Sequence, residues 1–153
     1  MARRSIKDIE KIWSNVEGIK KLSDRVIGVG PFGIGMDGLL TWVPVVGTLY
    51  TVGTGGWLIL QAIRAKASPA TLARMAAYMA VDTATGTVPL AGDVVDTFFP
   101  GQLLAAKALQ KDIETSHWVE DSAANAKASG DHERHLETVR NDSKLRRVVY
   151  LHD

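Results

Sequence analysis

From Ser5 to Ile27 apolar residues recur at helical spacing. Ile6, Ile9, Trp13, Val16, Ile19, Leu22 and Val26 form one stripe with charged residues around it, which predicts an amphipathic helix over residues 5–27. Beyond it the pattern changes abruptly. Residues 1–25 carry eleven charges, whereas residues 26–63 carry one, Asp37. From Met75 to Ala106 there are three, Asp82, Asp93 and Asp96, and from Lys107 onward the chain is ordinary charged sequence. Two apolar blocks joined by a short basic link dominate the chain.

The blocks match each other without a gap when the chain is shifted by 45 residues. Asp37 falls on Asp82, Val43-Pro44 on Val88-Pro89, Gly47 on Gly92, Gly56 on Gly101, Leu58 on Leu103 and Lys66 on Lys111. The shared frame is D-x5-V-P-x-x-G-x8-G-x-L, and the coincidence of its helix breakers points to a tandem duplication. Proline lacks an amide hydrogen and drives the preceding residue out of helical space, so helices are expected to end near Val43 and Val88. Gly47 and Gly92 then allow a tight turn, and Thr48 and Asp93 stand where they can cap the next helix, with Thr51 and Asp96 in its first turn. Each unit reads as helix, turn, capped helix, with a further weak point at Gly55-Gly56 or Pro100-Gly101.

The expected fold class is all-α. Four segments follow: an amphipathic N-terminal helix (1–27), a first hairpin repeat (28–66), a second (67–116) and a polar C-terminal segment (117–153). Within them, helices are expected over about 34–43, 48–66, 69–85 (Ser68 as cap, Pro69 in the first turn), 93–116 with a bend at Pro100, and 131–148 after a polar loop near 119–130. No strand pattern is visible.

Composition narrows the function classes. A chain of 153 residues makes one domain with tails, and a formal charge of +1 gives no general pull toward nucleic acid. Without cysteine there is no disulfide framework, thiolate zinc site or cysteine nucleophile. Charges interleave through MARRSIKDIEKIW, so no cleaved signal is expected. The uncharged run 43–63 is long enough to be read as a spanning helix. Its glycines and threonines dilute it, and its nine Val, Leu and Ile residues supply only a few kcal/mol of insertion drive, at about 0.3–0.6 each. Both flanks are basic, the second through Arg64, Lys66 and Arg74. A hairpin entering and leaving on one side, with Pro44 to Gly47 at its tip, therefore fits better than a single span. The aspartates of the second block must face protein, an interface or a helix end rather than lipid. The alternative is a helical core buried by its own termini; its glycine load disfavours it.

The duplicated D…V-P-x-x-G unit, followed in the second copy by Asp93-Val-Val-Asp96-Thr-Phe98, resembles a bacterial domain-of-unknown-function family, family 4112, of small predicted membrane proteins. The resemblance covers about residues 20–110. It implies a bacterial protein and brings no activity with it. Thr48 departs from the family's usual aspartate in the first copy, and Pro100-Gly101 interrupts a helix that usually continues. A function resting on that first-copy carboxylate would be lost or altered here.

Candidate chemistry is thin. Gly28-x-Gly30-x-x-Gly33 spells the dinucleotide fingerprint, but no strand precedes it and Pro31 lies inside it, so a flexible turn is the better reading. Asp93 and Asp96 share a helical face and could bind a cation or act as an acid–base pair, although as cap and first-turn residues they already have a structural purpose, which is the better reading. Asp37 and Asp82 each lie seven residues before a turn proline, inside an apolar helix. They act either as a protonatable or cation-binding pair or as acceptors for turn amides that lock the packing. His132 and His135 lack a third ligand and are expected to be solvated. Trp13, Trp42, Trp57 and Trp118 fit an interface belt or a core equally. No cofactor and no catalytic set is expected. The predicted function is a non-enzymatic, membrane-associated helical protein of the bacterial inner membrane, with both terminal segments cytoplasmic. It would contact lipid and work by packing with itself or with a membrane protein complex. The alternative is a small ion- or proton-conducting assembly using Asp37 and Asp82.

Overall fold

The computed structural model describes residues 4–28, 44–86 and 101–153. Among them are six helices and two strands: α1 (Ile6–Gly28), α2 (Pro44–Arg64), α3 (Pro69–Gly86), α4 (Gly101–Glu114), β1 (Ser116–Val119), α5 (Ala123–Ser129), α6 (Asp131–Asn141) and β2 (Arg147–Tyr150). The described residues are all-α apart from one small two-stranded sheet.

The first helix follows its apolar stripe closely. Ser5 opens it with a reciprocal cap: its backbone amide donates to Asp8 Oδ2 at 2.8 Å, and the Asp8 amide donates to Ser5 Oγ at 3.4 Å. Ile9, Ile12 and Val16 are buried, Trp13 and Ile19 half-buried, and Ile6 is exposed at the helix start. Ile12 thus replaces Ile6 on the buried face.

The second helix begins at Pro44 rather than after the expected turn. A proline ends a helix that precedes it, but at the first helical position its missing amide costs nothing and its fixed φ is preorganised. Gly47 and Thr48 therefore lie within the helix, not in a turn and a cap. The helix also continues without a break through Gly55-Gly56. It ends in a Schellman-type closure, with the Ala67 amide bonded to Ala62 O at 2.9 Å, the Lys66 amide to Ile63 O at 3.0 Å, and Lys66 at φ +47°. Ser68 caps α3 by accepting from the Thr71 amide at 3.2 Å, as its sequence predicts.

The long helices alternate in direction. Gly55 lies against Met79 while residues 65–68 join α2 to α3. Asp82 meets Gly101 at one end of the α3–α4 pair, and Ser68 meets Asp112 at the other. Trp13 meets Glu114, and farther along α1 Lys20 meets Gln110. All four thus run between an apex (residues 28, 44, 86 and 101) and a base (residues 6, 64, 69 and 114). The central helix is α4, which packs on the other three. Its Ala105 and Ala106 are fully buried and small enough for close approach. Around them Ile9, Val16, Leu58, Met75, Leu109 and Ile113 form the core. Each such large side chain contributes about 1.5–3 kcal/mol by leaving water.

The C-terminal segment departs from expectation. The polar loop near 119–130 contains a helix, α5, capped by Ser122 and closed by Gly130 at φ +79°. The helix expected over 131–148 stops at Asn141, and Arg147-Val-Val-Tyr150 pairs in parallel with Ser116-His-Trp-Val119. Two four-residue strands separated by 27 residues are non-local and too short to show a period, which is why the sequence pattern hides them. Leu151, just past β2, reaches the helical core. The Ile6 amide donates to Glu120 Oε1 at 2.6 Å, so this β–α–α–β unit sits on the base.

Candidate functional site

Of the carboxylates singled out in the sequence, Asp37, Asp93 and Asp96 lie outside the described residues, as do Pro89, Gly92, Trp42 and most of the 28–33 glycine motif. Pro44 and Gly47 are the helical positions described above. Asp82 is half-buried on α3, and its Oδ1 accepts from the Gly101 amide at 3.2 Å. It supplies from a neighbouring helix the cap that the N-terminus of α4 needs. Among the described residues no group of three or more His, Asp or Glu side chains is arranged to hold a metal ion.

Trp13, Trp57 and Trp118 pack against the core. The first donates through Nε1 to Glu114 Oε1 at 3.0 Å and the last to Ile113 O at 3.1 Å. His132 and His135 are not simply solvated. With Leu136 and Val139 they form the half-buried face of α6, a helix without a fully buried residue. His132 Nδ1 pairs with Tyr150 Oη at 2.8 Å, and His135 Nδ1 with His117 Nε2 at 3.1 Å. Burial, and after it the His135 ring, holds the His117 pKa below its ordinary value.

At the base, Asp112 joins four segments. Its Oδ1 accepts from Ser68 Oγ (2.9 Å) and Thr71 Oγ1 (3.0 Å), and its Oδ2 from the Ser68 amide (3.0 Å) and Arg147 Nη2 (2.7 Å). The guanidinium also donates to Lys66 O at 2.9 Å and, through Nε, to Ser116 Oγ at 3.1 Å. With its acceptor sites filled from neighbouring elements, this carboxylate is a structural clamp. Nothing in the sequence marks it.

Among the described residues two surfaces carry groups that the fold itself does not use. The first is the outward side of α2 and α3. Gly53, Gly56, Leu60 and Ile63 are exposed along one face of α2, and Ala73, Ala77, Ala80 and Ala84 along one face of α3, with Val81 beside them. Leu60, Ile63 and Val81 are 44%, 55% and 46% exposed. No exposed charge interrupts either face between Gly53 and Ile63 or between Ala76 and Ala84. By contrast, the exposed side of α1 carries Lys7, Asp8, Glu10, Lys11 and Lys21.

The second surface is a cleft of about 530 Å³ between α1, α4 and the loop before β2, lined by Lys20, Lys107, Lys111, Glu114, Lys144 and Arg146 among others. Glu114 accepts from Trp13, and Lys20 is paired with Glu17 at 2.8 Å. Among the described residues Lys107, Lys111, Lys144 and Arg146 have no carboxylate partner. On the far side of Lys111 and Arg146 a smaller cleft of about 160 Å³ adds Arg74. Lys107 and Lys111 are a visible i, i+4 pair in the sequence, but their meeting with Lys144 and Arg146 is tertiary.

The described residues form a four-helix antiparallel arrangement with an uncharged outer face on α2 and α3 and a cleft lined by basic residues toward the base. The chain belongs to the family described as a domain of unknown function (DUF4112), whose match runs over residues 12–113. The match ends within α4, so the sheet, α5 and α6 lie beyond it. No curated protein and no solved structure matches the chain.

Proposed function

We propose that the protein is a non-enzymatic, membrane-associated helical module that works by presenting the outer faces of α2 and α3 to a lipid surface or to another apolar helix. The observation that carries this reading is the exposed, uncharged face Gly53, Gly56, Leu60 and Ile63 beside the alanine face of α3. A face destined for water normally carries charge, and a continuous apolar patch bordered by polar residues marks a contact surface. Its 3–4–3 spacing is that of a helix-packing seam, and glycines let a partner backbone approach closely.

No helix among the described residues is long and apolar enough to cross a membrane. The mode proposed is therefore lateral or interfacial: the outer faces of the apical halves of α2 and α3 enter the headgroup boundary, while α1, which carries Lys20, Lys21, Asp24 and Arg25 toward the apex, and the basic base stay at the surface. The distribution of charge supports this orientation. On α2 the one charged residue is Arg64 at the base, and on α4 all the charges lie from Lys107 onward. Asp82 caps α4, which supports a packing role for that carboxylate over ion conduction.

The test is flotation of the full chain with phospholipid vesicles, in parallel with sedimentation at increasing protein concentration. Wild type is expected to float, or to self-associate, and Leu60→Asp with Ile63→Asp to do neither while remaining folded with a modestly lower thermal midpoint, because both side chains are partly exposed and acidic groups near a helix C-terminus oppose its dipole. A wild-type chain that stays unbound and monomeric throughout would overturn the reading.

A further inference from the structure

We propose that the basic cleft between α1, α4 and the 142–146 loop is a binding site for a phosphomonoester, whether a lipid headgroup or a soluble phosphorylated compound. This goes beyond the apolar contact surface and does not depend on it.

Charge is the first argument. The chain is nearly neutral, yet Lys20, Lys107, Lys111, Lys144 and Arg146 line one cleft with a single carboxylate, Glu114. That carboxylate is already bonded to Trp13 Nε1, and Lys20 is shared with Glu17 and Gln110. Four cations converge there without a carboxylate partner among the described residues. Five lining cations against one lining carboxylate leave an excess of positive charge in the cleft, and an anion of more than one charge offsets their mutual repulsion. A phosphomonoester is close to doubly charged at neutral pH, whereas the phosphodiester of an ordinary phospholipid carries one charge.

Preorganisation is the second argument. Lys107 and Lys111 stand one turn apart on the rigid central helix. The loop that brings Lys144 and Arg146 is held by its backbone: the Lys144 amide donates to Asp142 Oδ1 at 2.9 Å, Leu145 to Asp142 O at 3.0 Å, and Arg146 to Thr115 O at 2.8 Å. The backbone positions that carry the four cations are thus set before a ligand arrives, and the exposed side chains are what remains to be ordered on binding. Size is the third: about 530 Å³ exceeds what a bare phosphate fills and leaves room for the esterified group.

The experiment compares wild type, Lys107→Glu with Lys111→Glu, and a charge-matched control, Lys7→Glu with Lys127→Glu, whose positions are exposed and away from the cleft. Thermal midpoints are measured with glycerol 3-phosphate against glycerol, and flotation with vesicles containing phosphatidic acid against equal phosphatidylserine. Glycerol 3-phosphate is expected to raise the midpoint of wild type and control but not of the cleft variant. If the source is a headgroup, wild type also prefers phosphatidic acid vesicles, and the cleft variant binds them at least about thirtyfold more weakly, as expected from losing two surface cations at about 1 kcal/mol each. A midpoint shift without vesicle preference assigns the site to a soluble phosphoester, and then the cleft stands even if the membrane reading falls. Flotation on every vesicle type with no phosphate effect leaves the membrane reading standing and overturns the cleft. So does an equal response of cleft variant and control. Lys107→Gln with Lys111→Gln serves the same comparison should charge reversal disturb the fold.

Discussion

Lys66 shows how one residue can hold an unfavourable conformation because of what its side chain reaches. Its φ of +47° is left-handed, a region that costs a non-glycine residue about 1–2 kcal/mol. Glycine is the usual occupant of this helix-ending position. Here the Lys66 ammonium donates to Tyr150 O at 2.7 Å and to Asp153 O at 3.1 Å, tying the α2–α3 turn to the end of β2. The two effects separate by substitution. Lys66→Ala loses the tie and keeps the strain, whereas Lys66→Gly loses the tie and relieves the strain. Chemical denaturation is expected to find both less stable than wild type, with the glycine variant the better by about 1 kcal/mol. An alanine variant as stable as the glycine one would mean that the strain is not felt.

At the scale of elements, residues that the 45-residue shift of the sequence aligns differ in use. Gly56 and Gly101 occupy matching positions in the repeat, and Leu58 and Leu103 beside them are both buried. A Cβ on Gly56 would meet nothing within 4 Å, while one on Gly101 would stand 2.5 Å from Tyr78 O and 2.6 Å from Asp82 Cβ. Gly101 lets α4 start close against α3 and brings its amide to the Asp82 carboxylate. Gly101→Ala is therefore expected to destabilise by about 1–3 kcal/mol through overpacking. Gly56→Ala should leave stability unchanged or raise it by up to about 1 kcal/mol, since alanine is the better helix former. Thermal melts of the two variants side by side check this. The bend expected at Pro100 lies outside the described residues, and the contact of Gly101 with α3 is a tertiary feature that the sequence does not show.

Over the whole molecule, the C-terminal unit joins the bundle through buried Leu151, the Asp112–Arg147 clamp and the Lys66 tie, whereas α6 lies on that unit largely through histidine pairs. This gives the unit a pH dependence of known sign. The His117 pKa in the folded chain lies below the ordinary 6.5 because burial, and then His135, disfavour its charged form. As pH falls through that value the unfolded chain takes up a proton that the folded chain resists, so stability present above about pH 6.5 declines toward acid. The carboxylates held below their ordinary values, Asp8 and Asp121 (3.8) and Glu17 (4.5), act in the same direction but only at lower pH. A fall in thermal midpoint between about pH 7 and pH 5.5, reduced in His117→Asn, is the expected result. An unchanged slope in that variant would assign the dependence elsewhere.

The sequence determined what local chemistry can determine. The apolar stripe of α1 set its buried face, Ser68-Pro69 set the start of α3, and the loss of charge after Arg25 extends into α2, whose described outer face from Gly53 to Ile63 carries no charge. The family was legible too, because the spacing of breakers in two copies is a one-dimensional signal. Direction of action was not: Pro44 announces a helix boundary, and only the fold decides that it starts α2 rather than closing a turn. The sheet, the Asp112 clamp and the basic cleft were equally hidden. Each joins residues tens of positions apart, and such pairs leave no period in the chain. Lys107 and Lys144 are ordinary surface lysines in the sequence. They line one cleft because α4 runs down to the base and the loop before β2 returns there, which is a property of packing.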